Sequence, residues 1–102
     1  MPNNLLAGLA PVHPGEVLRE DVFPALGRPR AELARLLGTS RTTLYAILNG
    51  EQAVTSDMAL KIGKLTGTSP AMWLNLQQAH DLHASESRLA VELEKIPTLE
   101  AA

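Results

Sequence analysis

The spacing of Ala34, Gly38 and Leu44 constrains this 102-residue chain more than any other feature. A small residue on one helix lets a second helix cross it closely. A glycine four positions on can take positive φ at no steric cost. A buried aliphatic residue six further then locks the crossing. Leu33, Leu37, Ile47 and Leu48 fall on the same inner side, and the turn between the two helices has the length a helix-turn-helix uses. The register predicts that motif at about residues 30–49.

The rest of the chain is punctuated for more helices and offers no convincing pair of strands. Pro14 suits a first-turn position, and Val17, Leu18, Val22 and Leu26 supply an apolar stripe. Pro24 lacks an amide donor and clashes with the preceding turn, so the first helix is expected over 14–23. Pro29 opens the second helix, which runs to about Leu37. Ser40 caps the third, whose inner side is Leu44, Ile47 and Leu48 and which stops at Gly50. Thr55 or Ser56 caps the fourth, carrying Met58, Ile62 and Leu65, and Gly67 ends it. Ser69-Pro70 starts the fifth, with Trp73, Leu76, Ala79 and Leu82. Beyond Ser85, Leu89, Leu93 and Ile96 fit a helical stripe that Pro97 would end. The expected fold is all-α. A flexible segment covers 1–12, a five-helix domain 13–85 and a short acidic extension 86–102.

Composition narrows the chemistry. Apolar residues make up 45% with one Trp, one Tyr and one Phe, so the core must be aliphatic and of single-domain size. There is no cysteine, no apolar run that could span a membrane and no secretory pattern at the N-terminus, which makes a cytoplasmic protein the expectation. No nucleophile elbow or glycine-rich phosphate loop is present, so no enzyme and no cofactor are expected. His80 and His83 are three apart on one helix but lack a third ligand, so no metal site is assigned. His13 reads as a local cap or an exposed residue before Pro14. Trp73 and Leu76 are assigned as core or dimer anchors, with the indole N–H needing a partner if buried.

The net charge of −2 conceals an asymmetry. Residues 28–49 hold Arg28, Arg30, Arg35 and Arg41 against the single acid Glu32, whereas residues 81–102 hold five acids against Arg88 and Lys95. Local basic charge, rather than the total, decides whether a surface meets nucleic acid. If the third helix enters a major groove, its N-terminal residues meet base edges. Those are Ser40, Arg41, Thr42, Thr43 and Tyr45. Arg41 can grip guanine O6 and N7 with two hydrogen bonds, worth about 1–3 kcal/mol of discrimination. Arg30 sits beside a helix N-terminus whose free amides attract phosphate, and Arg28 and Asn49 are assigned to the same backbone contacts. Arg35 reads as solvated or ion-paired.

Three stretches together, HPGEVLREDV at 13–22, ELARLLGTSRTTLYAILNG at 32–50 and SPAMWLNLQQAHDL at 69–82, resemble the HigA-type antitoxins of the lambda-repressor-like helix-turn-helix superfamily. The resemblance implies a homodimeric repressor of its own operator that also neutralises an mRNA-cleaving toxin. Such proteins often carry Gln where this chain has Arg30, and Lys or Arg where it has Glu51-Gln52. The first change keeps a phosphate contact, and the second removes one. Few phosphate contacts mean a shallow salt dependence and a greater need for a dimer on two half-sites. Two other readings are a stand-alone repressor with no toxin and a toxin-blocking module with little DNA binding.

Overall fold

A computed structural model describes residues 10–101. Five helices and no strand occur among them. α1 starts as an α-helix at Pro14–Val17, widens into a π turn at Leu18–Val22 and closes as an α-helix at Phe23–Leu26. α2 is Arg30–Leu37, α3 is Arg41–Leu48, α4 is Ser56–Thr66 and α5 is Pro70–Glu94. Of the segment 1–12 expected to be flexible, residues 1–9 lie outside the described residues.

The first helix does not stop at Phe23, as Pro24 had suggested, but runs to Leu26. The π turn explains this. The Phe23 N–H bonds to the Leu18 carbonyl, five residues back. The widened turn lets Pro24 enter the helix without the usual clash and missing bond. It also rotates the inner face. Leu18 and Phe23 are the fully packed pair, while Val17, Val22 and Leu26 only flank the core.

The remaining signals operate as local chemistry predicts. Ser40 Oγ accepts the Thr43 N–H at 3.0 Å, and Thr55 Oγ1 accepts the Met58 N–H at 3.3 Å, so each caps its helix. Gly38 ends α2 with φ 71°, and Thr39 N–H bonds back to the Ala34 carbonyl. That left-handed turn is what sets α3 across α2.

The core joins Leu18, Phe23, Leu33, Ala34, Leu37, Leu44, Ile47, Leu48, Ile62 and Trp73. Trp73 is 0% exposed, with its indole N–H donating to Thr68 Oγ1 at 2.7 Å, and Leu76 packs against the same core from its edge. The indole therefore has no surface left to offer a second subunit. Every buried side-chain nitrogen or oxygen among the described residues has a partner.

Only the first half of α5 belongs to this core. The helix runs unbroken through the expected boundary at residues 85 and 86 and ends at Glu94. From Glu86 onward only Leu89 is even half-buried, so the last turns project as an arm and the molecule extends 54 Å along its long axis.

Candidate nucleic-acid interface

α3 is amphipathic because three aliphatic residues fall on one side of eight. Leu44, Ile47 and Leu48 are buried, and the opposite side carries Arg41, Thr42 and Tyr45, all exposed. Asn49 is exposed at the helix's C-terminal end. Ser40 and Thr43 are partly committed to each other. Beyond the cap bond, Ser40 Oγ donates to Thr43 Oγ1 at 3.0 Å. Of the five residues assigned to base edges, Arg41, Thr42 and Tyr45 thus have free functional groups. Thr43 keeps its hydroxyl proton, and Ser40 is chiefly a cap.

Two elements meet on this surface. Arg30, from the first turn of α2, lies over the Tyr45 ring at 5.5 Å from its centroid. A guanidinium on an aromatic face contributes about 0.5–1 kcal/mol at an exposed site. More usefully, it sets the Arg30 charge beside the α3 side chains. Arg28 is exposed and ion-paired. Its Nη1 pairs with Glu32 Oε1 at 2.7 Å, so this exposed guanidinium, just before α2, is shared with an acid of that helix's first turn. Arg35 and Glu51 are exposed.

The support behind α3 was not legible as function. Arg19 Nη1 donates to the Leu48 carbonyl at 2.9 Å, capping the C-terminal end of α3, while its Nε binds Glu20 Oε2 at 2.7 Å. A cation there also suits the negative end of the helix dipole. Gly15 brings α1 into contact with the same end. A Cβ on it would lie 1.8 Å from the Ile47 carbonyl oxygen. Gln77, buried on α5, fixes the loop that follows α3. Its Oε1 accepts the Val54 N–H at 2.8 Å, and its Nε2 donates to Asp81 Oδ1 at 2.9 Å.

His13 completes this scaffold. Its Nδ1 accepts the Gly15 N–H at 2.9 Å and so caps α1, but the residue is buried rather than exposed. Its ring meets His80 edge to face at 5.0 Å. His80 therefore sits against His13 and Asp81 instead of pairing with the exposed His83. Burial lowers the His13 pKa, the His80 charge lowers it further, and Asp81 and the Gln52 backbone oppose both. A folded pKa below the unfolded value makes the unfolded chain bind more protons as pH falls. The contribution is therefore complete above the ordinary value of 6.5 and is lost on acidification toward the lowered folded value. Protonated Nδ1 could no longer accept the Gly15 N–H. Thermal melts at pH 7.5 and 5.5 should show a larger loss for the wild type than for His13→Asn, which keeps a capping oxygen without titrating.

Comparison with known proteins agrees with this geometry. The helix-turn-helix family model matches residues 19–73. Antitoxin HigA-1 of Vibrio cholerae is 32% identical over 89 residues, covering 87% of this chain and 84% of that protein. The antitoxin GraA superposes with a TM-score of 0.83 at 40% identity, covering 90% of this chain and all of GraA. In complex with its operator, GraA gives 0.82 at 39% identity, covering 93% of this chain and 96% of that one. The Pseudomonas aeruginosa antitoxin HigA with the higBA promoter gives 0.82 at 32%, covering 88% and 99%. This is a family of DNA-binding regulators rather than enzymes, and the chain belongs to it, within the HigA-type antitoxin family of the lambda-repressor-like helix-turn-helix superfamily.

Proposed function

We propose that this chain represses its own operator as a homodimer and neutralises a cognate mRNA-cleaving toxin. The observation that carries the DNA half is the exposed side of α3, where Arg41, Thr42 and Tyr45 stand clear of the core with Arg30 beside them. An α-helix so presented fits a major groove, with Arg41 on a guanine edge and Arg30 and Asn49 on the flanking phosphates. GraA and the Pseudomonas HigA, both of the same fold, are each known in complex with operator or promoter DNA.

Dimerisation is supported by α5. Ala71, Asn75, Gln78, Leu82 and Ser85 line a shallow groove on its outer side, and their alternating four- and three-residue steps continue to Leu89. This is the repeat of a helix–helix seam. Two copies joined there would present two α3 helices to half-sites about 34 Å apart. The repressor acts where its operator is, in the cytoplasm. No helix among the described residues is long and apolar enough to cross a membrane.

The toxin half rests on family membership. Co-expression with the product of the adjacent open reading frame tests it. A stable complex that suppresses that protein's RNA cleavage is the expected result, and no association at micromolar concentration would reduce the chain to a plain repressor.

A further inference from the structure

Arg28 and Arg30 stand at the start of α2 in different surroundings. Arg28 gives its Nη1 donor to Glu32, an acid of the first turn of that helix. Arg30 forms no ion pair with any described residue, and its guanidinium lies over the Tyr45 ring of α3, 5.5 Å from the centroid. Glu32 is two residues from Arg30, and residues two apart on a helix do not face one another. The only acid between residues 28 and 49 is thus engaged by Arg28 and leaves Arg30 to the ring.

The two contacts differ in what they leave over. An ion pair sets a carboxylate against the guanidinium and occupies its N–H donors. An aromatic face leaves the positive charge uncancelled and, having no acceptor oxygen, leaves the donors available for one. It also restrains a side chain that otherwise samples many rotamers, an entropy that a phosphate contact would have to overcome.

The place of Tyr45 fits this use better than base reading. The N-terminal residues of a recognition helix meet the base edges, and Tyr45 is the fifth of eight residues in α3. It lies one turn along from Arg41, with both side chains exposed, so Arg30 is held next to the residue assigned to guanine. We infer that Tyr45 acts on DNA through Arg30: its ring holds the guanidinium at the α3 face for a backbone phosphate and selects no base. The inference rests on α3 being the reading helix, as proposed above. It makes Tyr45 a positioning residue and lets one helix set the strength of a phosphate contact made from another.

The chain's own promoter and an unrelated duplex of equal length separate the roles, because a phosphate contact serves every sequence and a base contact serves one. Tyr45→Leu removes the ring from an exposed site and keeps a good helix former. It should weaken binding to both duplexes alike, by about 4-fold or more, since an exposed cation–π contact supplies roughly 2-fold or more in each of two subunits. The penalty of Arg30→Ala should shrink by the same factor in the Tyr45→Leu background and keep its size in the Tyr45→Phe background, where the ring remains. A loss confined to the promoter would make Tyr45 a base reader. Equal Arg30→Ala penalties in wild type and Tyr45→Leu would make the two residues independent. Either result overturns the inference. In the free protein, the ring current of residue 45 should displace the Arg30 side-chain proton resonances in wild type and Tyr45→Phe but not in Tyr45→Leu. Undisplaced resonances in wild type would overturn the contact itself. Arg41→Ala on the same duplexes keeps the two failures apart. Promoter binding weakened by Arg41→Ala, without coupling between Tyr45 and Arg30, overturns the inference and leaves α3 as the reading helix, whereas no effect of Arg41→Ala overturns both.

Discussion

Gly15→Ala should cost about 3 kcal/mol or more and lower the midpoint of thermal unfolding by more than about 10 °C. The added Cβ would sit 1.8 Å from the Ile47 carbonyl oxygen and 2.7 Å from its carbon. Both are backbone atoms, so no rotamer change relieves the overlap. The helices must separate. The shift falls on the C-terminal turn of α3, which Arg19 also holds through the Leu48 carbonyl. Operator affinity should therefore fall with stability, although Gly15 is buried behind α3. A melting point within 2 °C of wild type would mean that α1 and α3 are not in that close contact.

Trp73→Ala is the second large effect. It removes a side chain that is 0% exposed and leaves Thr68 Oγ1 without its indole donor. Truncation of a buried aromatic of this size costs about 3–5 kcal/mol. A small domain with total stability of about 5–15 kcal/mol loses much of it. Urea unfolding should show a midpoint roughly halved or lower, at dilutions where the protein is dissociated as well as where it is paired. If the loss appeared only at concentrations that favour association, Trp73 would be an interface residue and the packing described above would be wrong.

These two positions show what the sequence discloses and what it hides. The crossing of α2 and α3 was legible because a small residue, a turn glycine and an aliphatic lock each had a single use at that spacing. The caps Ser40 and Thr55 were legible for the same reason. Gly15 was readable in principle, since glycine in the first turn of a helix costs stability and needs a packing reason. The path of α1 was not. A π turn adds one residue to a turn, so a 3.6-residue period carried the stripe from Leu18 to Val22 and Leu26 and missed Phe23, which packs with Leu18. Arg19 was hidden for the related reason that its partner is a backbone carbonyl 29 residues away. Arg28 was assigned to phosphate from its place just before the N-terminus of α2, and its ion pair with Glu32, in the first turn of that helix, was not anticipated. Gln77 carries no signal of its own, since a buried glutamine and a surface one look alike in sequence.

The acidic total charge is compatible with the proposed DNA-reading role of α3 because the charges are separated in space. Arg30 and Arg41 stand at α3, and the acids of the arm lie beyond the core on α5. With Arg28 paired and Glu51 exposed nearby, the interface has few free cations. Binding should then depend on base contacts and on two copies acting together more than on phosphate attraction.

That dependence is tested most directly at Arg41. Binding of wild type and Arg41→Ala should be measured on the chain's own promoter and on an unrelated duplex of equal length, at two salt concentrations. Loss of a bidentate base contact, about 1–3 kcal/mol in each subunit, predicts operator binding weaker by at least 10-fold, with much smaller change on the unrelated duplex. The folded state should be retained, since Arg41 is exposed. Equal operator affinity for the two proteins, with the fold intact, would contradict the assignment of α3 as the reading helix.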